Sequence, residues 1–139
     1  MIQFKMAAPI RSSDGMTDDE KIESKLHRIY HKCTRHGHCL VVDEGSSKNN
    51  SGYFRYLLIY PGYRGVNTTM HRAVYVLEKR RPDIIRNHSA GHVSHLCGTK
   101  SCVEISHLVL ESSADNNRRI TCHESRICSG GCSPPCIIH

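Results

Sequence analysis

One stretch of the chain decides its fold: residues 91–119, which read GHVSHLCGTKSCVEISHLVLESSADNNRR. The stretch contains Cys97, Cys102 and His107, with four residues between each of them and the next. Thiolate and imidazole groups at such short spacings are typical ligands of a tetrahedral zinc ion. Three ligands leave one coordination position open, so the stretch predicts a zinc loop that a residue from elsewhere in the chain closes.

The segments on both sides of this loop predict a strand–loop–strand–helix unit. Residues 93–96 and 107–110 have the apolar content of short strands, and a serine pair can cap a helix that begins near residue 113. Because the helix of such a unit folds back on the first strand, His95 and Asn116 are expected to lie close together. His95 is then a candidate metal ligand or catalytic base, with a purely structural histidine as the alternative.

An upstream cysteine is expected to supply the fourth ligand of the zinc loop. Cys39 is the preferred candidate, and it lies 58 positions before Cys97 (97 − 39). Cys33 is its rival; if it is not a ligand, it is a spare thiol.

The C-terminal segment predicts a second zinc site, because it is rich in cysteine and too poor in apolar residues to fold without a metal. The expected ligands are Cys122, Cys128, Cys132 and Cys136, with His123 or His139 as alternatives. A disulfide pair in this tail is the competing interpretation, and it would require an oxidising compartment.

The composition favours a small protein that metal ions stabilise. Of its 139 residues 38% are hydrophobic, with eight cysteines, eleven histidines and no tryptophan. A core this thin usually needs additional cross-links. No apolar run approaches the roughly 18 to 20 residues of a membrane span, and the N-terminal residues lack the apolar stretch of a signal peptide. We therefore expect an intracellular protein with no membrane partner, whose cysteines bind metal.

The positive charge is concentrated in the part of the chain that holds most of the cysteines. Residues 1–44 contain seven basic and seven acidic side chains, whereas residues 45–139 contain twelve and six, which accounts for the net charge of +6. A polyanion is the natural partner of such a surface.

The remaining chain predicts a mobile N-terminal arm over residues 1–16 and one domain over residues 17–139. The expected elements are, in order, a helix from Thr17 through Cys33, a strand at residues 39–42, a hairpin with arms at 53–60 and 66–70, and a helix at 71–79.

Taken together, these motifs closely resemble the active-site core of the His-Cys box homing endonucleases, which are ββα-metal (His-Me finger, HNH-like) nucleases. The resemblance lies in SHLC, the two ligand spacings, HL, ES and the D-N pair that ends nine residues after His107. Upstream, GYFRY and MHRAVYVLE look like the strand and helix that precede this core. The resemblance implies a small α+β, zinc-stapled ββα-metal fold with few helices and an antiparallel DNA-binding hairpin. Its finger would occupy residues 91–120 and its second zinc cluster residues 122–139.

The resemblance also implies the site residues of a Mg²⁺-dependent endonuclease with two structural Zn²⁺ ions. His95 would be the general base that activates water, and Asn116 would hold the catalytic Mg²⁺. The neighbouring Asn117 is the alternative to Asn116, and the spacing of the motif favours Asn116. Arg55 would clamp the scissile phosphate, and Arg64 on the other arm of the hairpin is its rival.

Double-stranded DNA is the partner that the resemblance implies. The hairpin would enter the major groove, and the run after the second helix would contact the DNA backbone. The expected DNA-binding residues are Arg55, Arg64, Tyr53, Tyr63, Arg80 and Arg81. The alternative for the tyrosines is that they cover the thin core.

Three further expectations stay open at this point. The family's homodimer is held by a long swapped C-terminal tail that this sequence does not show, so a monomer and a different homodimer are both open. Nuclear residence is expected from the DNA partner. The rival functions are a non-catalytic zinc-stabilised DNA-binding module and a zinc-stabilised protein-interaction domain.

Overall fold

The computed structural model describes residues 15–43, 48–49, 51–128 and 130–138. The predicted mobile arm lies almost wholly outside these ranges, as does His139, one of the alternative zinc ligands. Within them the protein is an α+β structure with three helices and short antiparallel strand pairs, as the sequence predicts. None of the described helices is both long and apolar enough to cross a membrane.

The three helices are α1 (Asp18–His31), α2 (Met70–Lys79) and α3 (Ser113–Ser125). Each begins where the sequence predicts. Thr17 starts α1 with a capping box, in which its side chain and that of Glu20 satisfy each other's backbone N–H groups. The first helix ends earlier than predicted, because Cys33 already belongs to the following strand.

The strands form three separate two-stranded antiparallel sheets, each a pair of consecutive strands. They are β1 (Cys33–His36), β2 (Cys39–Val42), β3 (Arg55–Leu58), β4 (Val66–Thr69), β5 (His92–His95) and β6 (Leu108–Glu111). Sequence reasoning missed β1, whose residues CTRH are mostly exposed and carry no apolar alternation. Only its pairing with β2 defines it as a strand.

Helix α2 is the centre of the hydrophobic core. Ala73, Val74, Val76 and Leu77 have no measurable exposure, because α1, the β3–β4 hairpin and the β5–β6 hairpin all pack around this helix. The apolar stripe of α1 covers one side of it, and burial of such side chains contributes about 1.5–3 kcal/mol each. The core around α2 therefore holds the β3–β4 and β5–β6 hairpins in place.

Two of the four tyrosines of the hairpin region cover the core. Tyr60 is buried, and Tyr53 and Tyr56 are half-buried, whereas Tyr63 is 50% exposed and packs edge-on against Tyr60. The interpretation of these residues as core cover thus describes Tyr56 and Tyr60, whereas Tyr53 packs against histidine rings instead.

The β5–β6 hairpin and α3 form the predicted finger. His95 pairs with Leu108 across the hairpin, and α3 packs against β5. A buried ion pair locks the unit, because Nε of Arg119 on α3 lies 2.6 Å from a carboxylate oxygen of Glu111 at the end of β6. The same guanidinium donates to Sγ of Cys136 at 3.5 Å, so it also fastens the C-terminal segment to the finger.

We predict that Arg119→Ala destabilises the finger strongly, because it leaves the Glu111 carboxylate buried without its partner. The free energy of unfolding should fall by about 3–5 kcal/mol. The neighbouring Arg118, whose ion pair with Asp115 is exposed, is the matched control, and Arg118→Ala should cost less than about 1 kcal/mol. Urea unfolding of the zinc-loaded protein measures both changes, and equal losses would contradict the assignment.

Candidate metal centres and active site

The first Cys/His cluster brings together the four predicted ligands, and all four are buried: Cys39, Cys97, Cys102 and His107. Their ligand atoms lie within 4.8 Å of one another, and Nδ1 of His107 is 3.7 Å from Sγ of Cys39 and 3.5 Å from Sγ of Cys102. A tetrahedral zinc ion with bonds of about 2.3 Å to sulfur places its ligand atoms about 3.8 Å apart. The cluster therefore fits a closed structural zinc site.

Strand β2 delivers the distant ligand to this cluster. The backbone N–H of Val103 donates to the carbonyl oxygen of Leu40 at 2.7 Å, and that of Val42 donates to Ser101 at 3.0 Å. These two bonds lay β2 along the zinc loop and leave Cys39 beside the other thiols. The rival, Cys33, lies outside the cluster, where its Sγ donates to the carbonyl oxygen of Ile29 at 3.2 Å.

Hydrogen bonding and burial shift the pKa values of two thiols in the first cluster in opposite directions. A hydrogen bond from Cys102 lowers the pKa of Cys97 to about 4, whereas burial raises the pKa of Cys39. One thiolate is thus already favoured among three neighbouring sulfur atoms. Zinc binds thiolates, so binding of the ion would displace the remaining protons.

The second cluster contains the four cysteines predicted for it: Cys122, Cys128, Cys132 and Cys136. Their Sγ atoms also lie within 4.8 Å of one another, and those of Cys122 and Cys132 are 3.8 Å apart. All eight cysteines of the chain are free thiols, which contradicts the interpretation of this tail as a disulfide pair. The cluster fits a second zinc site with four sulfur ligands.

His123 does not join the second cluster. Its ring packs against Gly98 of the zinc loop, whose backbone has φ +71° and whose missing side chain leaves room for the imidazole. Its Nε2 atom is buried and has no hydrogen-bond partner within the described ranges. Helix α3 therefore contacts the first zinc loop through this histidine while it carries Cys122 to the second site.

A separate cavity of about 650 Å³ contains the three predicted catalytic residues, Arg55, His95 and Asn116. They come from β3, β5 and α3, so three elements that are distant in sequence meet at one opening. The two alternatives lie elsewhere: Arg64 is exposed near the hairpin turn, and Asn117 is exposed on α3, and neither lines this cavity.

The zinc loop holds the imidazole of His95 in one orientation. Its Nε2 atom donates to the carbonyl oxygen of Cys102 at 2.9 Å, and the side chain is buried. Because a carbonyl oxygen only accepts hydrogen bonds, Nε2 carries the proton and Nδ1 keeps its lone pair. Burial lowers the pKa of His95 below its ordinary value, which favours this neutral form.

Asn116 offers a hard oxygen at the same cavity. The hydroxyl of Ser94 on β5 donates to Oδ1 of Asn116 at 2.7 Å, which fixes the amide while leaving that oxygen a second lone pair. An amide oxygen is a ligand that Mg²⁺ accepts, and Mg²⁺ sites usually have few protein ligands and keep several waters. The residues present therefore fit a Mg²⁺ ion that shares Asn116 with water and substrate oxygens.

Sequence reasoning missed two residues of the cavity, His71 and Arg72. The ring of His71 lies 4.3 Å from that of His95, and its Nε2 donates to the carbonyl oxygen of Val93 at 3.0 Å. Arg72 is buried and donates to the carbonyl oxygen of Gly91. The sequence feature that could have identified both is the presence of two ionisable residues at the start of an otherwise largely apolar helix.

Tyr53 forms one wall of the cavity. Its ring stacks on that of His95, with centroids 6.0 Å apart and planes 10° apart, and it also contacts His71. The ammonium group of Lys100 lies 5.3 Å from the centroid of the Tyr53 ring, and burial raises the pKa of the Tyr53 phenol. This predicted DNA-binding residue is thus placed beside the candidate base.

Apart from Arg55, the other predicted DNA-binding residues lie away from the cavity. Tyr63 and Arg64 are exposed at the turn between β3 and β4. Arg80 pairs with Asp19, and Arg81 forms a bidentate pair with Asp83 at 2.9 Å. Their contacts with DNA stay predictions.

These features define a zinc-stabilised finger with a histidine and an asparagine at one cavity. The chain belongs to the family described as the zinc-binding loop region of homing endonuclease, whose model matches residues 38–138. This match covers more than half of the chain and confirms the family that the sequence resembles. No curated protein and no solved structure shows a significant match to the chain.

We predict that the zinc-loaded protein contains two zinc ions per chain and that Cys102→Ser loses at least one of them together with the folded core. A closed structural site supplies folding free energy that a three-ligand remnant does not. Cys33→Ser is the matched control, since this thiol lies outside both clusters, and it should keep two zinc ions. Elemental analysis and circular dichroism measure both properties; zinc loss in Cys33→Ser would overturn the ligand assignment.

Proposed function

We propose that this protein is a Mg²⁺-dependent endonuclease that hydrolyses phosphodiester bonds in double-stranded DNA. The observation that carries the proposal is the convergence of Arg55, His95 and Asn116 on one cavity beside the first zinc loop. A base, a hard-metal ligand and a cation together are the parts that phosphodiester hydrolysis needs. Membership of a homing endonuclease family supports the same reaction.

His95 acts as the general base in this proposal. With Nε2 donating to the Cys102 carbonyl, its free Nδ1 lone pair accepts a proton from a water molecule, which then attacks the phosphorus atom. After the transfer the ring carries two N–H groups, and the carbonyl of Cys102 continues to accept one of them. The backbone of the zinc loop thereby stabilises the charged form without any movement of the histidine.

Asn116 and Arg55 prepare the phosphate for attack. A Mg²⁺ ion held by Oδ1 of Asn116 supplies Lewis-acid stabilisation of the leaving 3′ oxygen when it is bound. Ser94 keeps that amide oxygen directed, and the guanidinium of Arg55 binds a non-bridging phosphate oxygen. The cleaved strand then has a 5′-phosphate and a 3′-hydroxyl end.

The charge around the cavity favours an anionic substrate. Arg72 is 7% exposed and its guanidinium donates to the carbonyl oxygens of Gly91 and Ile84, but none of the ion pairs between described residues involves it. A positive charge buried without a carboxylate is costly, and a nearby phosphate reduces that cost. The β3–β4 hairpin next to the cavity has the width of a two-stranded ribbon, which the DNA major groove admits.

We predict that His95→Ala abolishes Mg²⁺-dependent cleavage, with a rate loss of about 10²–10⁴, while two zinc ions and the folded core remain. The assay is cleavage of a random-sequence duplex library by the zinc-loaded protein, with and without Mg²⁺. His36→Ala, at an exposed position of β1, is the matched histidine control and should cleave like the wild type. Release of zinc from His95→Ala would show instead that this histidine is a ligand.

The same assay tests the roles of Arg55 and Asn116 against their rivals, Arg64 and Asn117. Arg55→Ala and Asn116→Ala should lower the cleavage rate about 10²-fold or more, because each removes a group at the reacting phosphate. Asn117→Ala removes an amide outside the cavity and should change the rate little, whereas Arg64→Ala should weaken duplex binding and leave the cleavage rate at saturating DNA unchanged. Cleavage that depends on Arg64 or Asn117 rather than on their partners would contradict the proposed roles.

A further inference from the structure

The outward face of the β3–β4 hairpin carries apolar side chains where a solvated surface is expected to be polar. Leu57 is 55% exposed and Ile59 is 48% exposed, whereas the intervening Leu58 is buried in the core. The strand period of two directs Arg55 and Leu57 of β3 to the same side of the ribbon. Ile59 lies just after β3 and continues this alternation of exposed and buried residues.

These side chains form one continuous ridge across the ribbon. A Cβ atom at Gly65 would lie 3.3 Å from Cγ1 of Ile59 and 3.5 Å from Cδ1 of Leu57, so both side chains lean over this glycine. The exposed Asn67 stands directly opposite Leu57 in the register of the two strands. The outward face therefore presents two apolar side chains and one amide beside Arg55. We call Leu57, Ile59 and Asn67 the ribbon face.

We propose that the ribbon face reads A·T base pairs in the major groove, with Leu57 and Ile59 contacting the C5-methyl groups of thymine. This inference rests on the proposed function and names the substrate sequence class that the same site prefers. The thymine methyl is the apolar group that base pairs present in the major groove, and an asparagine amide matches the donor and acceptor of adenine. Leucine and isoleucine placed against a G·C pair would instead cover polar edges without satisfying them.

The charge of the surrounding sequence favours DNA over a second copy of this chain. Residues 45–77 contain no Asp or Glu, and Arg55 and Arg64 lie on this hairpin. Arg86 adds a third guanidinium, which donates to the carbonyl oxygen of Gly65 at 3.1 Å. Two copies joined through this face would bring like charges together, whereas DNA phosphates complement them.

Continuity with the cavity supports the same occupant. Arg55 and Asn67 line the cavity and also belong to the outward side of the ribbon. A duplex whose scissile phosphate lies beside His95 therefore passes over the ribbon face. The β3–β4 strand pair connects the cavity to the ribbon face. The preferred bases would lie a few steps from the cut.

The test replaces thymine by deoxyuridine, which removes the methyl group and keeps every hydrogen-bonding atom. The full-length zinc-loaded chain first selects duplexes from a random-sequence library without added Mg²⁺, and the selected duplex is then synthesised with each thymine replaced in turn. Wild-type affinity should fall about fourfold at two or more thymines, the value of one buried methyl group. Leu57→Ser and Ile59→Ser should each become insensitive to the replacement at one of those positions.

Ile127→Ser is the matched control, because Ile127 is 71% exposed and lies after α3, away from the hairpin. It should retain every deoxyuridine effect, and the zinc content of all three variants should equal that of the wild type. Tight duplex binding that no deoxyuridine replacement weakens would overturn the inference and leave the endonuclease proposal standing. Equal deoxyuridine effects in wild type and both serine variants would also overturn it.

Two other results distinguish failure of this inference from failure of the proposed function. If the chain binds no duplex at all, the proposed function fails and the inference fails with it. If sedimentation shows a dimer without DNA that Leu57→Ser dissociates, the ridge is an interface between copies of the chain and the base-reading role is overturned.

Discussion

The four ligands of the first metal centre are the constraint on which the rest of the structure depends. Cys39 reaches the centre from a strand far upstream, and the other ligands lie on one short loop of the finger. Closing this centre ties the N-terminal part of the chain to the finger. The same loop supplies the Cys102 carbonyl that orients His95, so the metal that stabilises the fold also sets the geometry of the candidate base.

The two kinds of metal chemistry are kept apart by ligand type. The first closed cluster offers three sulfur atoms and one imidazole nitrogen, and the second offers four sulfur atoms. These ligands suit zinc and include no oxygen for a hard cation. The cavity offers the opposite set, with the Asn116 amide oxygen beside a histidine that is already engaged with a carbonyl. Mg²⁺ is therefore disfavoured at the two sulfur-rich clusters, and zinc is disfavoured at the cavity. In the proposed reaction, zinc would therefore remain bound while Mg²⁺ is taken up and released.

Much of this arrangement could be predicted from sequence because it is encoded locally. The ligand spacings in residues 97–107, the serine cap before α3 and the capping box at Thr17 are short-range signals, and the structure has each of them. Spacing alone allows both Cys39 and Cys33 as the fourth ligand, and the structure places the preferred Cys39 in the cluster. The strand β1 was missed because its polar residues show no pattern until β2 lies beside them.

The remaining features depend on burial and long-range packing, which a single sequence does not display. Leu57 and Leu58 look equivalent in the sequence, yet one is buried and the other faces outward. His71 and Arg72 resemble ordinary polar residues of a helix start, and only the packing of α2 against the finger brings them to the cavity. Whether a side chain points into the core or outward depends on packing of the whole core, rather than on the residues next to it in the sequence.

The most direct test of the central claim is the chemistry of the DNA ends. The zinc-loaded chain is incubated with a random-sequence duplex library and Mg²⁺, and the termini of any fragments are sequenced and labelled enzymatically. The account predicts fragments that require Mg²⁺, share a sequence around the cut and carry 5′-phosphate and 3′-hydroxyl ends. Tight duplex binding with no fragments at any Mg²⁺ concentration would contradict it and identify the protein as a zinc-stabilised DNA-binding module.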